Sequence, residues 1–279
     1  MMPDHNAPTD AALRLIERYR SAAPSTSVWS PAIDLMLQHR SIRGYKPDAL
    51  PPGTLETLIA AAQSAATSSN LQTWSVVAVE DPARRARLSA FAGNQKHITQ
   101  APLFLVWLAD LSRAARLGEQ AGQAMEALPF LEPFLVAVID AALAAQNATL
   151  AAESLGLGTV YIGAIRNHPE GVAAELQLPL GVLPVFGLCV GYQASAIQAA
   201  AVKPRLPQQV VLHHETYRSV ADNDPVAQYD SDLLAFQAEQ GMSPQTWSEL
   251  VRTRLGKIAM LSGRERLRSA IHALGFDLK

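Results

Sequence analysis

Behind Ser30-Pro31, an N-cap residue followed by proline in the first helical position, Ile33, Met36 and Leu37 fall on one helical face. The globular pattern starts with this helix. Before it, about Asp10 to Arg20 reads as a helix with Thr9 as its N-cap, and the following stretch to Ser27 is polar, so residues 1–29 read as an N-terminal extension. Pro51-Pro52-Gly53-Thr54 opens an Ala- and Leu-rich helix to about Ala66, which breaks at Thr67-Ser68-Ser69-Asn70. Val76–Val79 reads as a buried strand, Asp81-Pro82 caps a helix to Phe91, and Gly93-Asn94-Gln95-Lys96-His97 is a polar connection. Pro102–Ala109 is almost wholly apolar and predicts a central strand. Residues 111–131 carry no regular pattern. From Phe134 to Leu155 runs a long Ala-rich helix, ended by Gly156 and Gly158, whose small side chains permit another backbone to approach closely. Thr159–Ile165 reads as a strand, Asn167-x-x-Glu170 as a capping box for a helix to about Leu176, and Leu183–Tyr192 as an apolar strand interrupted by Gly187 and Gly191. After Lys203-Pro204-Arg205, Val210–Leu212 predicts a short strand, and the rest reads as helices over about 230–239, 244–255 behind Ser243-Pro244, and 264–274. Helices and short strands mix rather than alternate strictly, which is an α+β pattern and not a doubly wound sheet.

Composition narrows the class. With 49% apolar and 17% charged residues the chain has enough apolar material for a sizeable core and too little charge for disorder. A net charge of −2 argues against nucleic acid as the main partner. The N-terminus lacks the basic region and apolar core of a signal peptide, and no apolar run reaches the roughly 18 residues of a membrane span. A single cysteine, Cys189, excludes an internal disulfide and a multi-cysteine metal site. The expectation is a soluble cytoplasmic protein.

Against this slightly acidic balance stand two local basic clusters, His39-Arg40-Ser41-Ile42-Arg43 and Lys203-Pro204-Arg205. Each mixes positive charge with neutral hydrogen-bonding groups, a combination suited to one compact anion such as the phosphate of a mononucleotide cofactor. His39 and Arg40 alone would merely complement a helix C-terminus, but Ser41 and Arg43 follow directly. The common nucleotide and hydrolase signatures are absent. Gly156-Leu157-Gly158 precedes a strand, the reverse of the dinucleotide-binding order, and there is no P-loop, His-Glu-x-x-His or Gly-x-Ser-x-Gly. His213 and His214 would face opposite ways on a strand, and Cys189 reads as a buried structural thiol. What remains is a set of polar segments at element ends: His39–Arg43, Thr67–Asn70, Gln95–His97, Tyr161–Ala164 and Lys203–Arg205.

Together these segments resemble the flavin-dependent nitroreductase family, in the branch of the oxygen-insensitive major nitroreductase and NADPH–flavin oxidoreductase. The likeness is carried by His-Arg-Ser-Ile-Arg (39–43), Ser-Ser-Asn-Leu-Gln-Thr-Trp (68–74), Gly-Asn-Gln-Lys-His (93–97) and Ala-Gln-Asn-Ala-x-x-Ala-Ala-Glu-Ser-Leu-Gly-Leu-Gly (145–158). It continues through Val-Tyr-Ile-Gly (160–163), Leu-Pro-Val-Phe-Gly-Leu-Cys-Val-Gly (183–191) and Lys-Pro-Arg-Leu-Pro (203–207), and the likeness as a whole covers roughly residues 32–276.

The resemblance implies an α+β fold with a mainly antiparallel central sheet flanked by helices. It also implies a homodimer with two FMN sites at the subunit interface, and a C-terminal helical excursion over about 220–279 that wraps the partner. Residues 30–279 would then form the FMN-binding domain, with 1–29 dispensable for binding. By position, His39, Arg40 and Ser41, with Ile42 beside them, would face the FMN phosphate and ribityl chain, and Lys203, Pro204 and Arg205 would close on the phosphate. Arg43 would lie near the pyrimidine edge of the ring; Thr67, Ser68 and Asn70 would come from the partner's loop. Gln95, Lys96 and His97 would add polar contacts near the ring and ribityl, and Tyr161, Ile162, Gly163 and Ala164 would line one side of the isoalloxazine.

The implied activity is two-electron transfer from NADPH or NADH to nitroaromatic, quinone or flavin acceptors by a ping-pong mechanism, with no protein nucleophile or metal because the flavin carries the chemistry. A cation such as Arg43 about 4 Å from the charge that reduction leaves near N1 would be worth roughly 4 kcal/mol at an effective dielectric near 20. Two alternatives stay open: a flavin reductase supplying free reduced FMN, and a flavin-binding or sensing protein without turnover. In this branch a basic residue just before a glycine commonly grips the 2′-phosphate of NADPH. Here Gln240 precedes Gly241, so NADH or dual use is expected.

Overall fold

The computed structural model describes residues 7–26, 28–194, 201–218 and 224–279. In chain order the elements are α1 (Ala7–Tyr19), α2 (Pro31–Leu37), α3 (Thr54–Gln63), β1 (Trp74–Val79), α4 (Pro82–Phe91), α5 (Lys96–Gln100), β2 (Leu103–Asp110), α6 (Ser112–Ala121) and α7 (Leu131–Ser154). They continue with β3 (Gly158–Ile162), α8 (Pro169–Glu175), β4 (Val182–Gly191), α9 (Gln208–Val211), α10 (Asp224–Glu239), α11 (Trp247–Leu255) and α12 (Leu267–Ala273). The chain divides into two compact units, one of Met1–Arg40 and Ala199–Met260, the other of Ser41–Gln198 and Leu261–Lys279.

The second unit contains the sheet, of order β1-β2-β4-β3 and antiparallel throughout, as the α+β reading expects. All eight residues of β2 are buried, which is why it reads as an unbroken apolar run rather than an alternating one. Leu103, Leu105 and Trp107 share a core with Leu58 and Ala62 of α3 and with Ala144, Ala145, Ala148 and Ala152 of α7. The alanines let the 24-residue helix lie close against the sheet. Gly187 of β4 allows the Phe104 ring to cross it: a Cβ there would sit 2.3 Å from that ring. The opposite face of α7 carries Leu131, Leu135, Ile139 and Leu143, spaced by four and all exposed. By length and composition alone α7 could cross a membrane, although 44% of its most apolar window is buried within the protein.

The first unit is helical. Arg14 Nε donates to Asp34 Oδ1 at 3.0 Å, tying α1 to α2. Just past α1, Ser21 Oγ donates to Asp232 Oδ2 at 2.7 Å, and the Arg20 guanidinium donates to both carboxylate oxygens of Glu239, at 2.9 and 2.8 Å, so this segment is also tied to α10.

The structure departs from the pattern where short segments carry weak signals. α1 begins at Ala7, so Thr9 lies within the helix instead of capping it. The unpatterned stretch 111–131 contains α6, and the polar connection 93–97 runs into α5. β3 stops at Ile162, and the cap of α8 is His168, whose Nδ1 accepts from Gly171 N at 2.9 Å, in place of Asn167. Val210–Leu212, expected as a strand, belongs largely to the short helix α9; three apolar residues fit either period, and among the described residues no strand pairs with them. α11 is opened by Thr246 and Glu249, whose side chains and backbone N–H groups bond reciprocally, and not by Ser243-Pro244.

Candidate functional site

In the first unit the two basic segments meet on one side chain. Ala11, Leu15 and Arg18 share the buried face of α1, and Arg18 is only 4% exposed. Arg18 Nη2 donates to Leu37 O at 2.7 Å and to His39 O at 2.8 Å, while Nη1 donates to Lys203 O at 2.8 Å. The backbone adds to this, since Arg205 N donates to Arg18 O at 2.9 Å. That carbonyl lies in the last turn of α1, where intrahelical partners run out. Tyr229 Oη donates to Pro204 O at 3.0 Å. Each residue from Lys203 to Arg205 is thus pinned, and the side chains of Arg40, Lys203 and Arg205 are exposed. Gln240 lines a cleft of about 330 Å³ with Arg14, Arg20 and Arg40. Two of these cations are engaged by carboxylates, Arg14 by Asp34 and Glu17 and Arg20 by Glu239.

In the second unit, Ser41 pairs with Thr159 of β3 in a parallel bridge, and Ile42 N donates to Thr159 O at 2.9 Å. Ile42 packs over Gly158 so closely that a Cβ there would lie 2.7 Å from Ile42 Cγ1. Tyr45 Oη donates to Ile42 O at 2.8 Å. These contacts fix the backbone on either side of the exposed Arg43. Tyr161, on the same edge strand, has its Oη 3.0 Å from Thr149 Oγ1 and its ring edge-on to Phe186. Burial raises its phenol above the ordinary value, with Thr149 opposing the rise. At Gly163 a Cβ would come into ordinary contact with the Arg166 guanidinium, at 3.4 Å. Burial lowers the affinity of the His97 imidazole for a proton, and the nearby Arg43 charge lowers it further. Gln95 and Lys96 stand at the start of α5, the first half-buried and the second exposed.

The 67–73 loop is built differently. Asp140 of α7, 2% exposed, accepts from Thr67 Oγ1 at 2.6 Å, Ser68 N at 3.2 Å, and Thr73 N and Oγ1 both at 3.1 Å. Thr67 Oγ1 also accepts from Gln72 N at 3.0 Å, so its hydroxyl is spent inside the loop. Ser69, Asn70 and Gln72 have positive φ, a conformation L residues avoid, and the carboxylate offsets that cost. Ser68, Ser69 and Asn70 are left exposed.

Residues 36–192 match the model of the nitroreductase family, and residues 203–279 match that of the family's C-terminal domain. The chain is 42% identical to the FMN reductase (NADPH) of Bacillus subtilis, over 78% of this chain and 89% of that protein. It is 41% identical to the oxygen-insensitive NADPH nitroreductase of Salmonella typhimurium, over 82% of this chain and 92% of that protein. The solved structure of B. megaterium NfrA2 superposes with a TM-score of 0.83 at 38% identity, covering 90% of this chain and all of that one. The chain belongs to the nitroreductase family. It is therefore an oxidoreductase.

For a nitroreductase-family chain, the residues that sequence reasoning missed are Arg18, Asp140 and Tyr229, none of which lies in a family motif. Arg18 lies outside both matched ranges. Its signal was present all the same: a lone arginine at the i+7 position of the Ala11–Leu15 face. Cys189 is fully buried in β4, where burial pushes its thiol up, in keeping with a structural role.

Proposed function

We propose that this nitroreductase-family protein binds FMN and passes two electrons from NAD(P)H to nitroaromatic, quinone or flavin acceptors. The observation that carries the reading is the meeting of His39 and Lys203 on the Arg18 guanidinium, which puts the bases of two cationic segments on one frame. That donor set fits a phosphate dianion, and the names of the relatives support FMN with NAD(P)H as donor. Bound FMN would supply the two-electron chemistry, accepting from the nicotinamide and giving to an acceptor that takes its place.

The chain's own residues then have separate tasks. In the first unit, His39, Arg40, Lys203 and Arg205 hold the phosphate. In the second, Ser41 and Ile42 hold the ribityl side, and Tyr161–Ala164 line the ring, with Gly163 offering backbone without a side chain to a flat group. Arg43, whose charge further disfavours protonation of the nearby His97, offers a positive charge to the pyrimidine edge and so favours electron uptake. Ser68 and Asn70 serve the second site of a homodimer. The exposed α7 stripe of Leu131, Leu135, Ile139 and Leu143 supports that dimer, since covering the half of each side chain left in solvent stabilises by about 1 kcal/mol each. A cytoplasmic location is part of the same reading.

The test is anaerobic mixing of the yellow holoprotein with NADH or NADPH, followed by a quinone, a nitroaromatic and free FMN. Bleaching by the nicotinamide and recovery with an acceptor is expected. A protein that stays yellow is a binding or sensing protein, and one reoxidised fastest by free FMN is a flavin reductase. Because Gln240 is neutral and two neighbouring arginines are engaged, kcat/KM for the two donors should agree within about tenfold; a NADPH preference near a hundredfold would defeat this.

A further inference from the structure

Flexible basic side chains make a poor anion site unless the backbone beneath them is held, because ordering them costs binding energy. Here Lys203 O, Pro204 O and Arg205 N are held by Arg18 Nη1, Tyr229 Oη and Arg18 O in turn. The other arm of the same guanidinium holds Leu37 O and His39 O, immediately before Arg40. A planar guanidinium directs its N–H groups along fixed lines, so one side chain can set the spacing of two backbone segments. Its 4% exposure strengthens each bond and makes each costly to lose.

We propose that Arg18 is a positioning residue for the flavin phosphate: it sets the separation of the His39–Arg40 and Lys203–Arg205 segments so that their side chains converge on one anion. This rests on the FMN reading above. Arg18 comes from a helix that neither family-matched range includes, and through this clamp the N-terminal helix becomes part of cofactor selectivity.

The experiment compares FMN with riboflavin, which has the same ring and ribityl chain but no phosphate. Apo forms of the full chain carrying Arg18→Met, Arg18→Lys and Tyr229→Phe are titrated with each. Arg18→Met should weaken FMN by about tenfold to a hundredfold and leave riboflavin within about threefold. Arg18→Lys should recover part of the loss, since one ammonium reaches fewer carbonyls. Tyr229→Phe, which keeps its packing on Trp247, should weaken FMN by about twofold to tenfold. Equal losses for FMN and riboflavin, or an unchanged FMN affinity, would overturn the proposal. If Arg18→Met does not fold, the other two variants carry the comparison, and an unchanged FMN-to-riboflavin ratio in both sinks it. Unmodified protein that binds neither flavin would overturn the functional reading, and this inference with it.

Discussion

Arg18 and Asp140 are two buried side chains of opposite charge, one in each unit, and they solve different problems with the same means. Arg18 gathers carbonyls from segments up to 185 residues away in sequence. Asp140 gathers donors from one short loop, Thr67 to Thr73, that contains three residues of positive φ. The cation therefore holds long-range topology, and the anion holds local backbone strain. Loss of the first should show in what the protein binds, because two segments drift apart while each stays folded. Loss of the second should show in stability, because backbone donors are stranded in a buried site.

Removing residues 1–29 should have the largest effect. The sequence marks this segment as a dispensable extension, whereas the structure ties it to α2 and α10 and places Arg18 within it. The truncated chain should lose FMN affinity by a hundredfold or more, about the cost of several charge-assisted bonds. A truncation that purifies with full flavin content would show that Arg18 has no part in binding. Next comes Asp140→Ala, expected to cost about 3–5 kcal/mol in urea unfolding, with Asp140→Asn costing less because an amide oxygen still accepts. If the alanine variant unfolds at the wild-type midpoint, the carboxylate is not holding the loop.

Thr67→Val is gentler. It deletes the bond to Asp140 and the acceptor for Gln72 N, so about 1–2 kcal/mol of stability should go, while riboflavin and FMN affinities fall together if they fall at all. A selective loss of FMN would mean that the loop, too, reads the phosphate. The smallest effect concerns His97, whose folded-state pKa lies below the ordinary 6.5 through burial and then Arg43. Such a group binds its proton more readily when unfolded. Its contribution is therefore complete above the ordinary value and is lost as pH falls from there through the depressed one. Arg43→Ala should move the His97 titration, followed by imidazole NMR, back toward 6.5; an unmoved titration would show that burial acts alone.

Legibility in the sequence followed the length and strength of each pattern. The eight-residue apolar run of β2 and the alanine register of α7 could be read because a fully buried strand and a closely packed helix leave no polar interruptions. α6 was hidden by a low apolar content, with Arg113, Arg116 and Glu119 on a ten-residue helix. Val210–Leu212 was too short to tell one period from the other. The basic clusters stood out as composition, but nothing in composition says which carbonyl an arginine will reach.

The sequence by itself determined the class of the fold, the identity of the cationic segments and the family, because all three rest on local pattern and motif order. Only the tertiary structure decided that a lone arginine on the apolar face of α1 joins Leu37, His39 and Lys203, and that a helix aspartate restrains a strained loop. The physical reason is that a buried charge is tolerated only where the whole fold brings it partners, and the partners of Arg18 come together only once the chain has folded.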